Sequence, residues 1–113
     1  MSRDGRRVFS IHKSQFGEYD LDGPMQADIG LLEVSYDRAT GNGCYVMRMQ
    51  PGAVTLAHVH GGTEDFLILK GELVDDDGCV FKPGDFISYA PGTEHNSWTD
   101  TGCLIAVFEW GKQ

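Results

Sequence analysis

Apolar residues along the chain alternate mostly with a period of two, which is typical of β-strands, rather than with the helical period of 3.6. The candidate strands are rich in β-branched and aromatic residues and cover 8–12, 29–36, 44–50, 54–60, 65–70, 78–82, 86–90 and 103–110. Short strands separated by turn sequences such as PG, GG, DDDG and PGTE predict an all-β sandwich or barrel. The only helical candidate is one turn in QADIGLL, residues 26–32.

The length and charge of the chain indicate how many domains it forms and which partners it excludes. A chain of 113 residues with 41% hydrophobic content supports one core, so we expect a single domain over 1–113. Residues 1–13 form a basic N-terminal arm or strand, whereas the chain from Ser14 onward carries five basic and sixteen acidic residues. Such an acidic body repels phosphate and anionic lipid, so we expect neither a nucleic acid nor a membrane as a partner.

The three cysteines, Cys44, Cys79 and Cys103, are far apart and form no CxxC pair. This spacing predicts free thiols in a reducing compartment rather than a disulfide framework or a zinc ribbon. The N-terminus has no apolar run behind its positive charge, and no stretch approaches membrane-spanning length. We therefore expect a cytoplasmic protein.

Three consecutive aspartates, residues 75–77, precede Gly78. They lack the alternate spacing and the distant glutamate of a calcium loop, and Asp-Gly between two apolar runs is a strong hairpin signal. We interpret the run as a solvated hairpin turn.

The stretch HVHGGTEDF carries the chemistry. In an extended strand His58 and His60 point to the same side, with Val59 opposite. The two glycines and Thr63 let the chain turn back, so that Glu64 can begin a strand antiparallel to the first and bring its carboxylate towards both imidazoles. These side chains are candidate metal ligands rather than isolated polar residues.

A further ligand must come from one of the two remaining histidines, His12 in the N-terminal region or His95. His95 is the better candidate because it repeats the setting of the first pair, with a β run, a Pro-Gly turn and then the histidine. Three imidazoles and one carboxylate suit one divalent transition metal, iron, nickel, manganese or zinc, better than calcium.

These residues resemble the two motifs of the cupin superfamily. Its first motif is a glycine, His-x-His, a glutamate and a second glycine, and it is matched in full by Gly52, His58, His60, Glu64 and Gly71. Its second motif is matched less closely. Gly84, Gly92 and His95 fall in place, but Ala90 stands where the family has proline, and Thr99 where it often has asparagine.

The resemblance covers residues 44–108 and implies a double-stranded β-helix, a jelly-roll-like barrel completed by the N-terminal strands. HxHGGTE, the GELVDDDG hairpin and the turn before His95 are similar to a cupin subgroup. That subgroup includes the metal-binding domain of ChrR-type anti-sigma factors and dioxygenases of diketones and hydroxyacetophenones. Cupins are commonly dimers, so the resemblance also implies a homodimer.

Several large side chains are candidates for the wall of a substrate pocket, although most aromatic residues in small barrels only fill the core. The candidates lie on strands expected to flank the ligands: Tyr45, Met47, Phe66, Tyr89, Trp98 and Phe108. A small, mainly apolar substrate with one or two metal-binding oxygens suits such a pocket.

Three functions remain open. The leading one is a non-heme Fe(II) dioxygenase acting on a small chelating diketone or phenolic ketone. The second is a non-catalytic zinc-binding sensor or ligand-binding module, and the third is a metal-dependent isomerase, cyclase or lyase. No other catalytic motif is present, so any chemistry must run through the metal.

Overall fold

The computed structural model describes residues 3–21 and 23–113, and in these ranges the chain forms strands and no helix. No helix there is long and apolar enough to cross a membrane. The strands are β1 (Gly17–Tyr19), β2 (Gln26–Glu33), β3 (Gly43–Met49), β4 (His58–Val59), β5 (Thr63–Gly71), β6 (Leu73–Asp75), β7 (Val80–Phe81), β8 (Phe86–Tyr89), β9 (Glu94–His95), β10 (Ser97–Trp98) and β11 (Cys103–Trp110). The all-β prediction is confirmed, whereas the helical turn in QADIGLL was wrong because that segment is β2.

The largest sheet has the strand order β1-β2-β3-β11-β5-β8. Its middle strand, β11, pairs antiparallel with β3 on one side and with β5 on the other. The last strand in sequence therefore joins the N-terminal half of the chain to the strand that carries Glu64. Long-range pairing of this kind makes the position of Glu64 depend on the whole sheet.

Alternation along these strands separates two faces. On β5 the side chains of Glu64, Phe66 and Ile68 are buried, as the period of two predicts. The inner face packs against Leu73 of β6 and forms the main core. Its buried residues are Tyr19, Ile29, Leu31, Tyr45, Met47, Met49, Ala53, Phe66, Ile68, Cys103, Ile105 and Val107.

The N-terminal arm covers part of the outer face. Phe9 and Ile11 pack against a smaller apolar cluster formed by Leu32, Val46 and Leu104. The guanidinium of Arg48 donates a hydrogen bond to the carbonyl of Ile11 at 2.8 Å. The predicted strand over 8–12 was wrong, because the alternation there reflects side chains that pack on the sheet while the backbone turns from residue 11 without pairing.

The short strands form two smaller sheets opposite the large one. One has the order β10-β6-β7, and the other pairs β4 with β9. The predicted strand 54–60 is reduced to β4, with Val54 in an isolated bridge to Trp98. The expected pairing of this segment with the strand of Glu64 was wrong, because β4 pairs with β9 instead.

The aspartate run does form a hairpin, with β6 and β7 antiparallel and Leu73 opposite Phe81. Asp76 and Asp77 are exposed, as expected of a solvated turn. Asp75 departs from that expectation because it is the last residue of β6 and its carboxylate is buried.

The two glycines before β5 differ in the space around them. A Cβ added to Gly62 would lie 2.8 Å from the backbone nitrogen of Lys112 and closer still to the carbonyl oxygen of Trp110. A Cβ added to Gly61 would meet only the side chain of Lys112, at 3.8 Å. Gly62 is therefore required for the close approach of β5 to the chain after β11.

We predict that Gly62→Ala lowers the free energy of unfolding by about 1–3 kcal/mol, because the backbones must move apart. Gly61→Ala is the matched control and should change it by no more than about 0.5 kcal/mol. Denaturant unfolding followed by circular dichroism measures both. Equal stabilities for the two variants would contradict the close approach.

Candidate metal centre

Two short paired strands bring the three histidines together. His58 and His60 lie on the same side of their segment, and Val59 between them points outward. Because β4 pairs with β9, His58 lies directly opposite His95. The ring centroids of His60 and His95 are 4.9 Å apart. His95 thus joins the first pair, whereas His12 lies in the exposed arm.

Glu64 reaches the same point from the large sheet. It is the first buried residue of β5, and its side chain contacts all three imidazoles. Its Oε1 lies 3.2 Å from His60 Nε2 and 3.3 Å from His95 Nε2, while Oε2 lies 4.0 Å from His58 Nε2. The four predicted ligand residues therefore converge from two sheets.

The other ring nitrogen of each histidine is bonded to an acceptor. The Nδ1 of His58 lies 3.0 Å from the carbonyl of Leu56, which can only accept. The Nδ1 of His60 lies 3.0 Å from the hydroxyl of Thr93, and that hydroxyl donates its own proton to the carbonyl of Ala90.

The Nδ1 of His95 is also bonded to an acceptor, and this acceptor is charged. The Nδ1 of His95 lies 2.8 Å from a carboxylate oxygen of Asp75. All three rings therefore carry a proton on Nδ1 and turn Nε2 towards the centre.

The electrostatics of the site keep Glu64 ionised. Burial raises the pKa of this carboxyl group, but the close approach of His60 and His95 and the positive charge of the imidazoles in their protonated form lower it to about 2. Burial lowers the pKa of His95, yet its hydrogen bonds to Glu64 and Asp75 raise it overall. When the imidazoles are neutral, the charge of the buried Glu64 carboxylate is left for a cation to compensate.

The donor set fits a divalent transition metal. His58, His60 and Glu64 each offer a ligand atom within 4.8 Å of the others, and His95 adds an Nε2 next to Glu64. Because its proton is on Nδ1, the buried Nε2 of His60 turns a lone pair towards Glu64 Oε1 at 3.2 Å and finds no hydrogen-bond donor among the described residues. A buried imidazole nitrogen of this kind is costly unless it is ligated. Three nitrogens and one carboxylate oxygen suit zinc, iron, nickel or manganese.

A small apolar cavity of about 40 Å³ opens onto these residues. Its polar wall contains His58, Glu64, His95, Thr55 and Ser97. The remaining wall is apolar or aromatic: Tyr19, Tyr45, Met47, Met49, Phe66, Leu73, Ile105 and Val107. No lysine or arginine lies in this lining among the described residues.

The six predicted pocket residues divide into three groups. Tyr45, Met47 and Phe66 line the cavity. Tyr89 stands behind the site, where its ring stacks on His95 at a centroid distance of 4.1 Å. Trp98 and Phe108 were placed wrongly.

Alternation explains both misplacements. Ser97 lines the cavity, so its neighbour Trp98 points to the other side of β10. Val107 lines the cavity, and Phe108 is 37% exposed on the outer face of β11. Alternation along β11 makes Ile105 and Val107 the inner residues. The same alternation in the sequence could have placed Phe108 on the outer face.

The sequence interpretation also missed Asp75 as a member of the site. Its place in a run of three aspartates before Gly78 is typical of a solvated turn, and no local signal distinguishes it from Asp76. Only the pairing of Ser97 with Asp75 across β10 and β6 brings its carboxylate beside His95.

The cysteines lie outside the site. All three are free thiols. Burial raises the pKa of Cys103 to about 11 despite a hydrogen bond with Thr99 that lowers it, and burial also raises the pKa of Cys44. These two thiols are therefore poor nucleophiles and poor metal ligands.

An all-β fold with three histidines and a glutamate around one end of an inner cavity defines a cupin. The chain belongs to the ChrR cupin-like domain family, whose model matches residues 11–113. No curated protein sequence matches the chain.

Solved structures share the fold at low sequence identity. An RmlC-like cupin from Shewanella frigidimarina is 19% identical, with a TM-score of 0.67 over 96% of this chain and 95% of that chain. Rhodobacter sphaeroides ChrR, an anti-sigma protein solved in complex with SigE, is 16% identical, with a TM-score of 0.67 over 88% of this chain and 51% of that one. Acetylacetone dioxygenase from Acinetobacter johnsonii is 11% identical, with a TM-score of 0.66 over 96% and 80%.

We predict that His58→Ala, His60→Ala and His95→Ala each weaken zinc binding by more than about 100-fold. Loss of a ligand should cost at least as much as loss of an outer partner, which costs 10–100-fold. Elemental mass spectrometry of protein purified without a histidine tag, followed by competition titration with a chelator, measures the effect. His12→Ala is the control and should bind like the wild type, and similar binding by all four variants would contradict the site.

Proposed function

We propose that this cupin is a non-heme Fe(II) dioxygenase that acts on a small chelating substrate, a diketone or a phenolic ketone. The observation that carries the proposal is the convergence of three imidazole Nε2 atoms and the Glu64 carboxylate at the end of a small apolar cavity. The shared fold with an acetylacetone dioxygenase supports it as an analogy of fold.

The ligand set leaves room for substrate. His58, His60, His95 and Glu64 would hold the ion through three nitrogens and one carboxylate oxygen, and a six-coordinate ion held in this way would still be able to take the oxygens of a chelating substrate. Iron(II), when bound, supplies the redox chemistry of the reaction. Glu64 would hold the ion together with the three histidines.

The residues of the chain select and orient the substrate. With about 40 Å³ of space, the cavity favours a small substrate whose chelating end fills it. Met47, Phe66 and Val107 supply apolar contact and keep water from the reacting end. Since no lysine or arginine lines the cavity in the described part of the chain, the proposal favours a neutral diketone over a substrate with a separate carboxylate or phosphate.

A second function, a non-catalytic zinc-binding sensor or ligand-binding module, is favoured by the family match and by the fold shared with ChrR. The same four ligands form a tetrahedral zinc site equally well. A third function, a metal-dependent isomerase, cyclase or lyase, would use the ion as a Lewis acid on the same substrate oxygens.

Two further parts of the proposal concern the environment of the protein. We expect a homodimer because the family resemblance implies one. We expect a cytoplasmic location because all three cysteines are free, which suits a reducing compartment.

The expected result for the leading function is oxygen consumption by the iron-loaded protein with acetylacetone or a hydroxyacetophenone, measured with an oxygen electrode and by product analysis. His60→Ala should lower the rate by at least about 100-fold, because the ion is lost. The zinc-loaded protein is the control and should consume no oxygen.

The other outcomes of this experiment separate the alternatives. Conversion of the same substrates by zinc-loaded protein without oxygen uptake would establish the Lewis-acid reaction. Binding without conversion, with iron or with zinc, would contradict catalysis and establish the ligand-binding module.

The cavity wall should set the size of the substrate. Met47→Ala enlarges the cavity, so we expect the ratio of kcat/KM for a phenyl-substituted diketone to that for acetylacetone to rise at least about tenfold. Phe108→Ala, on the outer face of the neighbouring strand, is the control and should leave the ratio unchanged. Equal ratios in the two variants would place the substrate elsewhere.

A further inference from the structure

Asp75 is a buried carboxylate that belongs to the sheet opposite Glu64. It is 4% exposed and accepts three hydrogen bonds from side chains. One oxygen accepts from His95 Nδ1 and from the hydroxyl of Ser97, both at 2.8 Å. The other oxygen accepts from the phenol of Tyr89. Two neutral donors therefore hold the carboxylate in place while it faces the imidazole.

The ring of His95 is fixed in two ways. Tyr89 stacks on one face of the imidazole, with the two planes inclined by 19°. Phe66 lies parallel to the ring at 6.4 Å, with an inclination of 6°. Stacking limits rotation of the ring, and the bond to Asp75 decides which nitrogen carries the proton.

The outer hydrogen bond of His95 goes to a charged group, the carboxylate of Asp75. The outer partner of His58 is a backbone carbonyl, and that of His60 is the hydroxyl of Thr93. A carboxylate accepts a shorter and stronger hydrogen bond than either and raises the basicity of the imidazole.

We propose that Asp75 is a positioning residue, held by Tyr89 and Ser97, that presents Nε2 of His95 to the metal. This inference rests on the metal-binding part of the proposed function and not on the dioxygenase reaction. Asp75 links the imidazole of His95 to the three-stranded sheet β10-β6-β7. His58 and His60 bind the metal without contact to Asp75.

The test compares Asp75→Asn with Asp76→Asn, an adjacent and exposed aspartate whose loss changes the net charge equally. Zinc, which is redox-inert, is the probe, and its affinity is measured by chelator competition. We expect Asp75→Asn to bind zinc about 10–100-fold more weakly than the wild type. Asp76→Asn should bind within about twofold of the wild type, because its carboxylate does not reach an imidazole.

Nitrogen-15 NMR of the histidine side chains in the zinc-loaded protein distinguishes positioning from general damage. In Asp75→Asn only the Nδ1–H signal of His95 should move, because the amide is a weaker acceptor than the carboxylate. The signals of His58 and His60 should stay, since their outer partners are untouched.

Two results would overturn the inference: wild-type affinity with an unmoved His95 signal, or equal displacement of all three histidine signals. If Asp75→Asn does not fold, Tyr89→Phe serves in its place, because it removes one bond to the carboxylate and keeps the stacked ring. It should move the His95 signal alone, and an unmoved signal would again overturn the proposal. A wild-type protein that binds no zinc would refute the metal site itself, which is a different outcome from a failure of Asp75 alone.

Discussion

The buried charge of Glu64 is the constraint on which the rest of the structure depends. An ionised carboxylate in a protein interior is costly unless opposite charges and hydrogen bonds compensate it. Here the compensation comes from three imidazoles and, in the proposed state, from a bound cation. The residue opposite Glu64 on β11 is Glu109, a second buried carboxylate, which forms a salt bridge of 3.1 Å with Lys112. Each of the two facing carboxylates therefore has its own cationic or imidazole partners.

This arrangement explains why the site spans two layers. Glu64 is carried by the large sheet, whereas His58 and His95 are carried by the β4–β9 pair and Asp75 by the hairpin sheet. Closing the ligand cluster therefore requires both layers to pack in register. Metal binding should stabilise the packing of the two layers, because the ion binds the folded arrangement and not the unfolded chain.

The sequence predicted those features that depend on local spacing. Alternation identified the long strands and the shared side of His58 and His60, and it put Phe66 on the face of Glu64. Features that depend on distant pairing were missed. The burial of Asp75, for example, follows from its pairing with Ser97. The apolar residues near Phe9 resembled a strand because packing on a sheet surface produces the same alternation as pairing within it.

Metal choice and substrate choice are carried by different parts of this site. In the proposed metal centre the ligand atoms would come from three histidines and a glutamate, whereas the space beyond them is shaped mainly by aliphatic and aromatic residues of the large sheet. Such a wall discriminates by size and shape and offers little to a charged group. In the proposed function a substrate would bring its own chelating oxygens, because the polar residues in the wall are the candidate metal ligands, Thr55 and Ser97. Ser97 already donates to Asp75, so the ion is the main polar anchor for a substrate. Relatives with the same four ligands can thus differ in substrate through the cavity wall alone.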